Sequence, residues 1–127
     1  MNSAPTLLSA EKEKRFLLLL ASLFVGKDAT KKEVLDFIYT KGYIKLTPQD
    51  MKNKNNRNEQ VWRNDLAYVR KHLEMEGFFV SGVRNSWAIT ASGEQYLFDL
   101  YEQVRRTSAF SKITDKALEN AKELFSC

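Results

Sequence analysis

One cysteine, one histidine and two prolines are all that the 127 residues contain of these types, and each scarcity removes a class of protein from consideration. The lone thiol, Cys127 at the last position, excludes an internal disulfide framework and fits a reducing, cytoplasmic setting. With His72 as the single imidazole, neither a Ser-His-Asp arrangement with members to spare nor a Cys/His zinc site of normal spacing can be assembled. The five glycines are scattered at the ends of expected elements, which rules out a phosphate-cradling glycine loop. The expectation is a chain with no catalytic residues, no metal and no cofactor, and so not an enzyme by itself. Glu11 and Glu13, interleaved with Lys12 and Lys14, have a faint likeness to an acid and lysine cluster of metal-dependent nucleases. Their alternating charge at a helix start is explained by a solvated helix surface.

Long apolar runs are also missing. Residues 16–25, Phe-Leu-Leu-Leu-Leu-Ala-Ser-Leu-Phe-Val, resemble the core of a signal peptide but are too short to span a bilayer. The region before them is mixed in sign, and Gly26-Lys27-Asp28 follows where a small-residue cleavage site would be needed, so a buried first helix is expected. No membrane association is expected.

What the chain does have is apolar material for one core, 43 % hydrophobic with eight Phe and five Tyr, and a modest net charge of +4. That charge is localised. Residues 52–71 carry Lys52, Lys54, Arg57, Arg63, Arg70 and Lys71 against Glu59 and Asp65, a net +4, and the rest of the chain is balanced. A basic strip of this kind is the footprint of a polyanion site, although a solvated loop and helix face would look the same by charge alone.

Residues 1–9 form an expected flexible N-terminus, followed by a helix over 10–25 that Gly26 ends. Thr30-Lys31-Lys32-Glu33 has the form of a capping box and starts a second helix, running to about Lys41 with Val34, Leu35, Phe37 and Ile38 toward the core. Residues 43–46 alternate like a short strand, and Thr47-Pro48-Gln49-Asp50 starts a helical turn. The Asn- and Lys-rich stretch 51–59 is most simply a mobile loop. A long helix over about 59–76 places Trp62, Leu66, Val69 and Leu73 on one stripe. Residues 78–80 and 86–89 are expected strands of a β-hairpin, and Thr90 caps a helix to about Arg106. Residues 107–112 look like a linker, and 114–125 form a short amphipathic helix. The domains expected are thus 10–106 and an appended 107–127. The uncapped end at Cys127 fits the front part of a longer protein as well as a naturally short one.

Helix, helix, long helix, hairpin, helix is the order of a winged helix-turn-helix, an α+β and mainly α fold in which the third helix enters the major groove and the wing touches the backbone. Rotation by 100° per residue puts Gln60, Asn64, Ala67 and Lys71 opposite the apolar stripe, with Arg63 and Arg70 on one flank. Asn and Gln can bond an adenine edge in bidentate fashion and Arg63 a guanine or a phosphate, so Gln60, Arg63, Asn64, Ala67, Tyr68 and Lys71 are the expected base contacts. Lys52, Lys54, Arg57, Arg70 and, at the wing tip, Arg84 and Asn85 are the expected backbone contacts. Trp62 and Trp87 are assigned to the core, whereas Tyr68 lies beside the stripe and is the better candidate for a functional aromatic.

Trp62-x-Asn64-x-Leu66-x-Tyr68-x4-Leu73-x3-Gly77, then Asn85-Ser86-Trp87-x-Ile89-Thr90-x2-Gly93, resembles the Mrr N-terminal winged-helix family over about residues 14–102. Members usually sit in front of nuclease domains of restriction systems. The resemblance implies double-stranded DNA binding in the service of target recognition by a nuclease, with modified bases among the targets such domains read. Two features depart from the pattern. Asp65 stands where the family commonly has a basic residue, and the loop before the long helix is unusually rich in Asn and Lys. Besides DNA, the expected partners are a nuclease domain or a second copy through the C-terminal helix. The alternatives are a protein-interaction winged helix, such as a phage or host adaptor, and a dimeric transcriptional repressor.

Overall fold

Ser9 accepts from the amide of Lys12 and opens α1 (Ala10–Val25), an element whose middle is apolar on every side. Phe16 through Ala21 are completely buried, so α1 is the central rod of the fold, with α2 (Lys31–Thr40), α3 (Val61–Met75) and α4 (Ala91–Val104) packed around it. Each Leu or Phe so buried contributes about 2 kcal/mol, which explains why a helix this apolar stays in water-excluded surroundings. The computed structural model describes residues 8–55 and 57–126. Most of the expected flexible N-terminus, residues 1–7, lies outside the described residues, as do Asn56 and Cys127. Among the described residues no helix is long and apolar enough to cross a membrane.

The capping box expected at Thr30 and Glu33 forms in full: each side chain accepts from the other's backbone amide. Thr90 caps α4 in a related way, accepting from Gly93 while its hydroxyl donates to the Gly77 carbonyl at 2.7 Å. The glycine at position 93 is required by close approach, since a Cβ there would stand 2.1 Å from the Phe78 carbonyl oxygen.

The short strand expected at 43–46 is reduced to one antiparallel bridge, Ile44 with Ile113. The helical turn at Thr47 is a turn only, closed by reciprocal bonds between Thr47 and Asp50. The chain between α4 and α5 (Asp115–Phe125), read from sequence as a linker, is tied to α1 by Glu13. This carboxylate is 2 % exposed and accepts from the amides of Ser111, Lys112 and Ile113 and from the Ser111 hydroxyl. Glu13 is therefore a buried anchor and not part of a solvated surface. Ala117 and Ala121 are fully buried on α5, and Phe125 stacks on Tyr101 of α4.

The expected α+β winged fold with a two-stranded β-hairpin is corrected by the structure. Five helices and three isolated bridges make up the regular structure of the described residues, and no strand is present. Between α3 and α4 the two legs meet at a single bridge, Phe79 with Ile89, flanked by bonds from Val80 to Ala88 and from Thr90 to Phe78. The ladder stops there for a visible reason. Arg70 of α3 inserts its guanidinium and donates to the carbonyls of Ser86 at 2.6 Å and Val80 at 3.3 Å, while the Trp87 amide donates to Ala29 before α2. Backbone groups that would extend a hairpin are thus already bonded elsewhere, and Gly82 and Asn85 turn the tip through positive φ.

Candidate nucleic-acid interface

α3 presents its apolar stripe, Trp62, Leu66, Val69 and Leu73, to the core, and this fixes what faces outward. Tyr68 is 63 % exposed, Lys71 and Met75 are exposed, and Asn64 is half-buried at the start of the same outward face. The ring of Tyr68 meets His72 edge-on at 4.7 Å, one turn further along. Ala67 is half-buried and packs against the core, leaving the middle of the face low and open to a close approach.

The loop before α3 folds back on itself. Lys54 donates its amide to the Glu59 carbonyl and Val61 to that of Lys52, around a bridge between Asn53 and Gln60, with Asn55 at positive φ. This brings Lys52, Lys54 and Arg57 to the N-terminal end of α3. Gln60 is the N-cap residue, and its side-chain amide is engaged at both ends, donating to the Met51 carbonyl at 3.1 Å and accepting from the Trp62 indole at 3.0 Å. The side chain expected to read a base is thus what joins the loop to the helix.

The expected arginines differ from one another. Arg63 pairs with Asp36 of α2 at 3.0 Å and lies over the Trp62 ring, on whose other neighbour, Tyr39, the indole also stacks. The carboxyl of Asp36 is held below its usual range first by its hydrogen bond from Lys32 and also by Arg63. Arg70 is the internal strut described above, packed against the faces of Phe79 and Trp87 and paired with Glu74 at 3.2 Å. Burial lowers its pKa while Glu74 opposes that shift. Arg84 and Asn85 are exposed at the tip of the connection between α3 and α4.

Two clefts flank α3. One, of ≈ 370 Å³, is lined by Glu11, Lys14, Lys54, Asn64, Asp65, Tyr68 and Val69, so it gathers loop, helix face and exposed aromatic. The other, of ≈ 410 Å³, joins Arg63 and Asn85 to Lys31, Lys32, Asn58 and Glu59. Sequence reasoning missed Lys31 and Lys32, which it used only as the filling of a capping box. Two adjacent lysines in the first turn of a helix were the available signal. Their charges are largely compensated, Lys31 by Glu59 at 2.6 Å and Lys32 by Asp36 at 2.6 Å. Lys14, Lys54 and Lys71 have no such partner among the described residues. Positive charge without an ion pair thus lies on the folded loop and the outward face of α3, and in the first cleft Lys14 and Lys54 stand beside the acids Glu11 and Asp65. No group of acids, His and Cys able to hold a metal ion occurs among the described residues.

The family model of the Mrr N-terminal domain matches residues 13–99, from the first turn of α1 into α4. Neither the curated proteins nor the solved structures give a match to the chain.

Proposed function

The chain belongs to the Mrr N-terminal domain family, associated with restriction systems, and from that premise we propose that it binds double-stranded DNA as the recognition part of a restriction-type nuclease. The observation that carries this reading is the outward face of α3. Asn64, Tyr68 and Lys71 have no hydrogen bond or ion pair to other side chains among the described residues, and the folded loop sets Lys52, Lys54 and Arg57 beside them. A helix with side chains is about 10 to 12 Å across and fits a major groove about 12 Å wide. On this reading Asn64 and Lys71 face base edges, and the loop lysines and Arg57 lie along one phosphate strand, with Arg84 and Asn85 reaching a neighbouring stretch of backbone. Arg70 and Gln60 support the surface from behind, because the Nη groups of Arg70 and the side-chain amide of Gln60 are already bonded inside the protein.

The test is direct binding of labelled duplexes by the wild type and by a Lys54→Ala, Arg57→Ala double variant. The reading expects the variant to lose affinity for every duplex alike, since phosphate contacts carry no sequence information. Unchanged affinity in a folded variant contradicts it. Including duplexes with methylated adenine or cytosine in the same series asks whether a modified base is part of the target.

A further inference from the structure

Asp65 is the least expected residue of the face, an acid in a basic surface. It is half-buried and lines the ≈ 370 Å³ cleft with Asn64, Tyr68, Lys14 and Lys54, yet it forms no hydrogen bond or ion pair among the described residues. Helix capping does not account for it either, because no acid lies in the first turn of α3, where the helix dipole would favour one. A carboxylate only accepts hydrogen bonds, and leaving one partly desolvated without a donor is unfavourable. Phosphates and sugar ring oxygens offer no donor and the phosphates repel the charge. The base edges of the major groove do offer donors: the N4 amino group of cytosine and the N6 amino group of adenine. Adenine sets the N7 acceptor beside its amino group, which an Asn side chain matches and a carboxylate opposes. Cytosine presents the amino group alone.

We infer that Asp65 is a specificity-determining residue, accepting from the N4 amino group of a cytosine in the major groove next to the base pair that Asn64 faces. The inference rests on the DNA-binding reading of the same face. It gives the acid a function that its charge would otherwise work against: Asp65 lowers attraction to DNA in general and recovers the loss only where a cytosine amino group meets it. Selectivity then comes partly from rejection, with Lys14 and Lys54 along the same cleft holding the neighbouring backbone.

A duplex library with randomised base pairs, bound by the wild type and by Asp65→Asn, tests this. The wild type is expected to select cytosine at one position by roughly tenfold, the scale of one good base contact. Asp65→Asn, which keeps size and shape, is expected to lose that selection while binding the pooled duplexes more tightly. A second arm needs no variant: replacing the selected cytosine by an analogue that lacks the amino group should weaken wild-type binding by a similar factor and leave Asp65→Asn indifferent. Tighter binding of Asp65→Asn with selection intact, or equal wild-type affinity for the analogue, overturns the inference while leaving the DNA-binding reading standing. Failure of the wild type to bind any duplex overturns both.

Discussion

The carboxylate of Glu13 accepts from the backbone amide of Ile113 at 3.0 Å, joining the first turn of α1 to the residue that precedes the cap of α5. The same carboxylate takes the amides of Ser111 and Lys112, so three backbone donors converge on one buried side chain. Removing it leaves those amides without their acceptor, that of Ile113 at a buried position. Glu13→Ala is therefore expected to lower stability by about 3 kcal/mol, and Glu13→Gln, which keeps one acceptor oxygen, by about half that. Denaturant midpoints of the two variants check the order. A neutral Glu13→Ala would mean that the segment before α5 is held by its apolar contacts alone.

Gly93→Ala replaces a hydrogen by a Cβ directed at the Phe78 carbonyl oxygen, with 2.1 Å between them. In an unobstructed helix the same change gains about 1 kcal/mol. Here backbone has to move against backbone, and a net loss of about 1 to 2 kcal/mol is expected. Thermal melting decides the sign.

Arg70 and Lys71 are neighbours in sequence with opposite expected phenotypes. Lys71→Ala should leave stability within about 0.5 kcal/mol, weaken binding to the preferred duplex by about 1 to 3 kcal/mol, and relax preference at the base pair it faces. Arg70→Ala removes the donors that bond the Val80 and Ser86 carbonyls and should cost about 2 to 4 kcal/mol of stability. Measuring melting and binding to duplexes of differing sequence on both variants separates strut from contact.

Stability should fall on acidification, and one pair accounts for part of the decline. Arg15 clamps Glu76 with bonds of 3.2 and 2.5 Å and donates to Tyr96, linking α1, the end of α3 and α4. The hydrogen bond from Arg15 holds the Glu76 carboxyl below its usual range. A depressed carboxylate contributes stability that is present above its unfolded pKa, about 4.3, and is lost as pH falls through the folded value. Asp36, held down by Lys32, and Asp50, held down chiefly by the Thr47 amide, act in the same direction. The guanidinium of Arg15 has its pKa raised by Glu76 and stays charged throughout. Glu76→Gln should thus be less stable near neutrality and show a shallower decline between about pH 5 and pH 3. Denaturation midpoints across that range, parallel to those of the wild type, would refute the assignment.

The helices were legible because their signals are local. The apolar period of residues 62–73 and the Thr30 to Glu33 box lie within one element, and each survives intact in the fold. The family pattern was legible for a related reason: Ile89-Thr90-x2-Gly93 records a side-chain cap and a close approach that leaves no room for a Cβ. What could not be read were partnerships across the chain. Rotation around α3 put Arg70 on the flank of an exposed face, and nothing in the sequence shows that the chain after α3 folds over that flank and takes the guanidinium. The hairpin expectation fails through the same contact, since β-prone runs at 78–80 and 86–89 around a turn say nothing of carbonyls bonded by a helix side chain. Gln60 and Glu13 are similar cases, one joined to Met51 and Trp62 and the other to residues 111–113, where sequence pattern saw only a polar helix surface.

The central claim, that the outward face of α3 and the folded loop before it bind duplex DNA, is tested most directly by titrating a labelled duplex with the wild-type chain at a series of salt concentrations. The account predicts affinity that falls steeply as salt rises, with a slope reporting several phosphate contacts, and a smaller slope when Lys54 or Arg57 is replaced by Ala. Absence of duplex binding at low salt, or binding indifferent to salt, would contradict it.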